Sequence, residues 1–88
     1  MTGRTIQLAP EAFFHARPAT LIAAAARRYE SVVMVCVGIS MADAKDAIAL
    51  MRLPHPHGAP CDLFADGADE AEALEAVAAA LEQVYPIK

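Results

Sequence analysis

The stretch SVVMVCVGISMAD, residues 31–43, contains the strongest strand signal in the chain. Its first part, SVVMVCV, is apolar and rich in β-branched side chains, which predicts a strand. Gly38 then supplies a turn, and ISMAD predicts a short return strand. Two strands joined by so short a turn pair antiparallel, so the sheet is predicted to be mainly antiparallel.

A strand and a helix are predicted ahead of this hairpin. RTIQLA, residues 4–9, alternates polar and apolar residues, and it predicts a half-buried strand that Pro10 ends. From Ala16 onward, apolar residues at positions i, i+3, i+4 and i+7 predict a helix with one apolar face. The inward residues would be Ile6 and Leu8 in the strand and Ala19, Ile22, Ala23 and Ala26 in the helix.

Two helices and a strand are predicted after the hairpin. AKDAIALMRL, residues 44–53, predicts a short helix that begins at or near Asp43 and ends before Pro54. CDLFAD, residues 61–66, alternates apolar and polar side chains and predicts another strand. ADEAEALEAVAAALEQVY, residues 68–85, predicts the last helix. The first turn of this helix would contain Asp69, Glu70 and Glu72, whose negative charges are favourable there. Its apolar stripe would consist of Leu74, Val77, Leu81 and Val84.

The order β-α-β-β-α-β-α predicts an α+β fold with one four-stranded sheet and three helices on a single face. The opposite face of the sheet would be open to solvent or to a partner. The 88 residues are expected to form one domain, residues 1–88. A chain of this size buries too little surface for a large enclosed cavity, so any chemistry is expected at the surface.

The charge distribution argues against nucleic-acid binding. Residues 1–60 carry six basic and four acidic side chains, whereas residues 61–88 carry one basic and seven acidic side chains. No basic patch with interleaved aromatic residues occurs in the sequence. The apolar runs are far too short to span a bilayer, and the first ten residues lack the apolar core of a signal peptide. We therefore expect a cytoplasmic protein that does not insert into a membrane.

The sequence predicts no metal or cofactor. Cys36 and Cys61 are far apart, without the spacing of a metal site, and are predicted to be buried thiols. His55 and His57 lie in the loop PHPHGAP, residues 54–60, but they have no third ligand.

His15 stands directly ahead of the first predicted helix. First-turn amides have no intrahelical acceptor, and the helix dipole places partial positive charge there, so this position favours an anion. Arg17, two residues further on, adds a guanidinium suited to phosphate. The pair predicts an imidazole that accepts and donates a phosphoryl group. The alternative is that His15 is a structural or solvated histidine and Arg17 a surface charge.

The segment FHARPAT, residues 14–20, closely resembles the active site of the histidine-containing phosphocarrier protein (HPr) family of the sugar phosphotransferase system. The usual form in that family is Leu-His-x-Arg-Pro-Ala. The resemblance covers nearly the whole chain, including SMADAKDAIALMRL at the second helix and ADGADEAEAL at the entry to the last helix. It implies an open-faced β-sandwich and a monomer, whereas the exposed face of the sheet leaves a dimer as the alternative.

The resemblance also implies roles for individual residues. His15 would be phosphorylated on Nδ1 by a phosphoenolpyruvate-dependent enzyme and would pass the phosphoryl group to a sugar-specific acceptor protein, while Arg17 steadies that group. Both partners would dock on the first two helices. The residues implied are Ala16, Thr20, Ala47, Ile48 and Met51, with Arg52 at the rim. Core packing is the alternative for Ile48 and Met51, and it is the expectation for Leu50 and Leu53.

The sequence departs from the family pattern at two places. Ala12, Phe13 and Phe14 occupy a loop that usually contains glycine, which would change its shape and the partners that fit. Asp46 stands where many members carry a regulatory serine, so we predict no serine switch at this position. The carboxylate of Asp46 would stabilise a helix N-terminus and, as a permanent charge, would weaken docking of an acidic partner.

Two other functions remain open on the sequence. The protein would serve as a regulatory module that signals by protein contact. Alternatively, it would serve as the carrier in a paralogous phosphotransferase system linked to nitrogen metabolism or to dihydroxyacetone. The chemistry of the carrier would be the same in each of these phosphotransferase systems, so the residues do not indicate which pathway the protein serves.

Overall fold

A computed structural model describes residues 1–7, 16–53 and 60–84, with the side chains of residues 16, 83 and 84 excepted. The predicted order of elements is confirmed. The strands are β1 (Thr2–Gln7), β2 (Val32–Val37), β3 (Ser40–Asp43) and β4 (Pro60–Asp66). The helices are α1 (Ala16–Arg27), α2 (Ala47–Met51) and α3 (Glu70–Val84).

The four strands form one sheet in the order β1-β4-β2-β3, and every neighbouring pair is antiparallel. The register pairs Val35 with Leu63 and Ile6 with Cys61, so that the apolar positions of three strands share one face. All three helices cover that face, and the fold is the open-faced α+β architecture that the sequence predicts.

The core lies between the sheet and the helices. Many of its helical members are alanines, and short side chains allow helices to pack closely on a sheet and on each other. Helix α1 contributes Ala19, Ile22 and Ala26, and helix α3 contributes Ala73, Leu74, Val77, Ala78 and Leu81. The predicted apolar faces of both helices are thereby confirmed, except that the side chain of Val84 lies outside the described residues.

Strand β1 begins at Thr2, two residues before the predicted start. Thr2 and Arg4 pair with Ala65 and Leu63 and therefore share the helix-covered face with Ile6. Arg4 does not follow the apolar pattern because its guanidinium reaches the rim of α3, where it pairs with Glu75 and Glu82 at 3.4 Å each. The predicted inward position of Leu8 lies outside the described residues.

Helix α2 begins later than predicted, because Asp46 and not Asp43 precedes it. The Asp46 carboxylate accepts hydrogen bonds from the amides of Ile48 at 3.0 Å and Ala49 at 3.2 Å, as an N-cap does. Asp43 instead ends β3, where it pairs with Met34 in the ladder and accepts a bond from the Lys45 amide at 2.9 Å. The predicted stabilisation of a helix N-terminus by Asp46 is confirmed.

The prediction that Asp69 belongs to the first turn of α3 is wrong. Asp69 precedes the helix, and its carboxylate accepts bonds from the amides of Glu30 at 3.0 Å and Ser31 at 2.9 Å and from the Ser31 hydroxyl. These contacts, which we call the Ser31–Asp69 junction, tie the start of α3 to the connection between α1 and β2. The Ser31 hydroxyl, followed by the amide of Glu30, holds the pKa of Asp69 below its ordinary value.

Gly67 lets the chain pass close to this junction. Its φ is +152°, and a Cβ atom at this position would lie 2.8 Å from the Cα of Ser31. Backbone cannot move aside as a flexible side chain does, so the junction requires glycine here.

Both cysteines are free and buried, as the sequence predicts. Burial raises the pKa of the Cys61 thiol to about 12, so it is neutral and unreactive at neutral pH.

We expect Gly67→Ala to destabilise the protein by about 3 kcal/mol, because the new Cβ meets the backbone of Ser31 and the backbone conformation disfavours alanine. Gly38→Ala is the matched control: Gly38 has φ +61°, but nothing lies within 4 Å of its Cβ position, so about 1 kcal/mol is expected. Urea denaturation of the two variants and the parent measures both costs. Equal costs would contradict a requirement for space at Gly67.

We expect the free energy of unfolding to depend on the Asp69 charge. Because folding lowers the pKa of Asp69, the junction stabilises the protein above the ordinary value of 3.8 and loses that effect as the pH falls through the folded pKa. Asp69→Asn is therefore less stable than the parent at neutral pH, and the difference shrinks between about pH 5 and pH 2. Urea midpoints across that range test this, and a difference independent of pH would refute it.

Candidate functional site

The start of helix α1 is the candidate site. The helix begins at Ala16, directly after His15 in the chain. His15 itself lies outside the described residues, as do the neighbouring Ala12, Phe13 and Phe14. The role of His15 as a phosphoryl acceptor therefore stays a prediction, but the predicted start of the helix beside it is confirmed.

The first turn of α1 is suited to an anion. It contains no acidic side chain, and it carries the exposed Arg17. Helix α3 differs, because Glu70 and Glu72 occupy its first turn and offset the positive end of its dipole. The first-turn amides of α1 have no intrahelical acceptor, so they and the guanidinium offer donors to a negatively charged group.

Helix α1 is held in place from both sides. Ala19 and Ile22 are completely buried against the core, and Pro18 in the first turn is buried as well. At the other end, the Arg27 Nε donates to the carbonyl of Lys45 at 2.8 Å. These contacts fix the first turn relative to the sheet, so that its donors are oriented before any ligand arrives.

The outer face of α1 is a stripe of exposed residues that begins at Arg17. Thr20, Leu21 and Ala24 follow at i+3, i+4 and i+7, and all of them are exposed. Thr20 is one of the predicted docking residues, whereas the side chain of Ala16 lies outside the description. Leu21 is not among the docking residues predicted from the sequence. An apolar residue opposite the buried face of an amphipathic helix is nevertheless a signal that could have indicated it. Leu21 is 50% exposed.

Helix α2 turns two large apolar side chains outward. Ile48 is 61% exposed and Met51 is 40% exposed, so the alternative that they pack in the core is wrong. Leu50 and Leu53 are buried, as expected. Ala47 is half-buried against the core, and Arg52 is exposed at the C-cap.

The exposed residues of α1 and α2 belong to neighbouring helices, because the two pack against each other. We call this set the α1–α2 surface. It combines an apolar centre with two cations, and Asp46 at the N-cap of α2 is also exposed. Its members are Arg17, Thr20, Leu21, Ile48, Met51 and Arg52.

Within residues 1–7, 16–53 and 60–84, no three His, Cys, Asp or Glu side chains are grouped so that they could hold a metal ion. His55 and His57 fall outside these ranges. In the same part of the chain, the helices are too short and too polar for a membrane span.

Comparison with known proteins agrees with this arrangement. The family model described as the PTS HPr component phosphorylation site matches residues 3–83. The phosphocarrier protein HPr of Treponema pallidum is 34% identical over 77 residues, which cover 88% of each chain. The crystal structure of HPr-C-His from Thermoanaerobacter tengcongensis has a TM-score of 0.84 at 30% identity, covering 100% of this chain and 99% of that one.

A third comparison is with Crh, the catabolite repression protein of Bacillus subtilis, whose crystal structure is described as a swapped dimer. It has a TM-score of 0.74 at 32% identity, and the match covers 93% of this chain and 90% of that one. With the match to the family model over residues 3–83, these similarities show that the chain belongs to the HPr family, the phosphocarriers of the phosphotransferase system.

Proposed function

We propose that His15 accepts a phosphoryl group from a phosphoenolpyruvate-dependent enzyme and passes it to a sugar-specific acceptor protein. The observation that carries this proposal is the start of α1 directly after His15, with Arg17 exposed in a first turn that contains no acid. Membership of a phosphocarrier family supports the same chemistry.

The proposed transfer is a substitution at phosphorus. The lone pair of the neutral His15 Nδ1 forms a bond to phosphorus, and the bond from phosphorus to the donor breaks with its electron pair left on the donor. In the second step, the acceptor protein attacks phosphorus and the electron pair of the P–N bond returns to His15. First-turn amides of α1 and the Arg17 guanidinium stabilise the transferred charge by charge-assisted hydrogen bonds.

The α1–α2 surface is the proposed docking site for both partners. Leu21, Ile48 and Met51 supply apolar area, and Arg17 and Arg52 favour an acidic partner. Thr20 and Ala47 are small residues of the same two helices, so a partner can approach the helices closely. Asp46 has the opposite charge and is proposed to weaken docking while it caps α2.

The proposed carrier acts as a monomer in the cytoplasm, as a single domain over residues 1–88. One imidazole must meet a donor and an acceptor in turn, and this requires that the docking surface is released after each transfer.

A regulatory role is the second candidate, and the similarity to Crh favours it. In that role, a partner would bind the α1–α2 surface without receiving a phosphoryl group. The two functions differ in whether the surface discriminates between phosphorylated and unphosphorylated protein.

We expect His15→Ala to abolish phosphorylation by the phosphoenolpyruvate-dependent enzyme of the same source. The chain has three histidines, so the double variant His55→Ala/His57→Ala is a matched control that should be labelled as fully as the parent. Arg17→Ala should slow labelling by about tenfold to a hundredfold, because a charge-assisted contact to the transferred group is lost. Rates of labelling from radioactive phosphoenolpyruvate measure all three effects.

The label should be lost in acid and kept in base, as expected for a phosphohistidine. A label that persists in His15→Ala, or that disappears in the double variant, would place the phosphoryl group elsewhere and defeat the proposal.

We expect Ile48→Asp to weaken binding of the phosphoryl donor enzyme by about tenfold or more, because it places a charge in the apolar centre of the α1–α2 surface. Met41→Asp is the matched control, since Met41 is 62% exposed and Ile48 is 61% exposed, but Met41 lies on the face of the sheet that the helices do not cover. Calorimetric titration gives both affinities. Equal losses would show that binding does not use the α1–α2 surface.

The same titration tests Asp46 through Asp46→Ser, which keeps a capping oxygen and removes the charge. Tighter binding of an acidic donor enzyme is expected. An unchanged affinity would leave Asp46 with its capping role alone.

A further inference from the structure

Exposed apolar side chains occur on a second surface of this protein, apart from the α1–α2 surface. The face of the sheet without helices, which we call the open face, carries Val32, Met41 and Phe64, which are 55%, 62% and 39% exposed. Ile39 is fully exposed in the turn between β2 and β3.

Strand register brings the apolar residues of the open face together. Met34 of β2 lies opposite Phe64 on one side and Asp43 on the other. In the next row, Cys36 lies between Asp62 and Met41. Directly opposed side chains of neighbouring strands are close enough to touch, so Phe64 and Met34 form one apolar pair and Cys36 and Met41 form another in the adjacent row, with one aspartate completing each row.

The position of the Phe64 ring depends on a glycine, Gly3, on the neighbouring strand β1. Gly3 is the register partner of Phe64, and the Cδ1 atom of the ring lies 3.1 Å from the place where a Cβ of Gly3 would be. The ring therefore lies over the backbone of β1, where any larger residue would displace it. This arrangement forms a broad apolar platform on the rigid sheet.

The charged side chains at the described strand positions of the open face are all acidic. Asp43, Asp62 and Asp66 point to the open face, and its described strand positions include no lysine or arginine. Thr5 donates to Asp62 at 2.6 Å, and the terminal amine of Met1 lies 3.6 Å from Asp66. No described Lys or Arg side chain pairs with any of the three carboxylates.

We propose that the open face is a docking surface for a partner protein that presents a cationic amphipathic helix. The apolar side of such a helix would cover Met34, Met41 and Phe64, and its lysines or arginines would pair with the surrounding carboxylates. A second open face does not fit, because it would bring like charges together. This surface lies on the opposite side of the sheet from the helices, so it leaves the α1–α2 surface accessible.

The probe is a synthetic amphipathic helix with leucines on one face and lysines on the other, titrated into ¹⁵N-labelled protein. We expect amide shifts in β2, β3 and β4 and an affinity that falls as salt is raised. The same peptide with glutamate at every lysine should not bind.

Variants separate the two components of the surface. Asp43→Asn/Asp62→Asn should weaken binding of the lysine peptide about tenfold through lost charge pairs. Met41→Gln should weaken it severalfold through lost apolar area. Glu72→Gln/Glu75→Gln removes the same charge from α3, on the other side of the protein, and should leave the affinity unchanged.

Several results would overturn the proposal. These are amide shifts confined to α3 or to the α1–α2 surface, equal binding of the glutamate peptide, or no binding at all. Sedimentation provides the remaining test: if the protein without peptide self-associates and its open-face amides shift with concentration, the occupant is a second copy and not a cationic partner.

Discussion

The helices of this protein cover only one face of its sheet, and the pleat determines which residues that face receives. Every second residue of β2 and β4 must therefore be apolar and compact, as Val33, Val35 and Leu63 are. The Ser31–Asp69 junction then ties α3 to the connection that leads into β2. Because the C-terminal end of α1 leads into this same connection, the junction also ties that end of α1 to the start of α3.

Much of this fold could be predicted from the sequence, because period-two and period-3.6 patterns are local. The hairpin, the alternation in β4 and the buried faces of α1 and α3 all follow from such patterns. Boundaries were less predictable where two aspartates compete: Asp43 and Asp46 are both good caps, and only the pairing of Asp43 with Met34 in the ladder selects Asp46. Asp69 was misplaced for a related reason, because its partners Glu30 and Ser31 are distant in sequence.

The two parts of the candidate site, the start of α1 and the outward side of α2, were predictable to different extents. The start of α1 after His15 follows from helix periodicity, and the suitability of that position for an anion follows from elementary electrostatics. The orientation of Ile48 and Met51 did not follow, because a helix as short as Ala47–Met51 gives too few turns for an apolar face to be recognised. The burial of Leu50 in the core fixes the rotation of helix α2 about its axis, and this rotation turns Ile48 outward.

A chain of this size buries too little surface for a large enclosed cavity, so a phosphocarrier of this family would select its partners at its surface. The first turn of α1 carries Arg17 without an acid, whereas the open face carries Asp43, Asp62 and Asp66 without a lysine or arginine at its described strand positions. In the proposed carrier, a phosphoryl group on His15 would add close to two negative charges beside Arg17. That change reverses the sign of the charge at the start of α1, so partners that bind there would distinguish the phosphorylated from the unphosphorylated protein. At the open face, across the sheet, the charge is the same in both states, and a partner bound there would remain bound throughout the transfer.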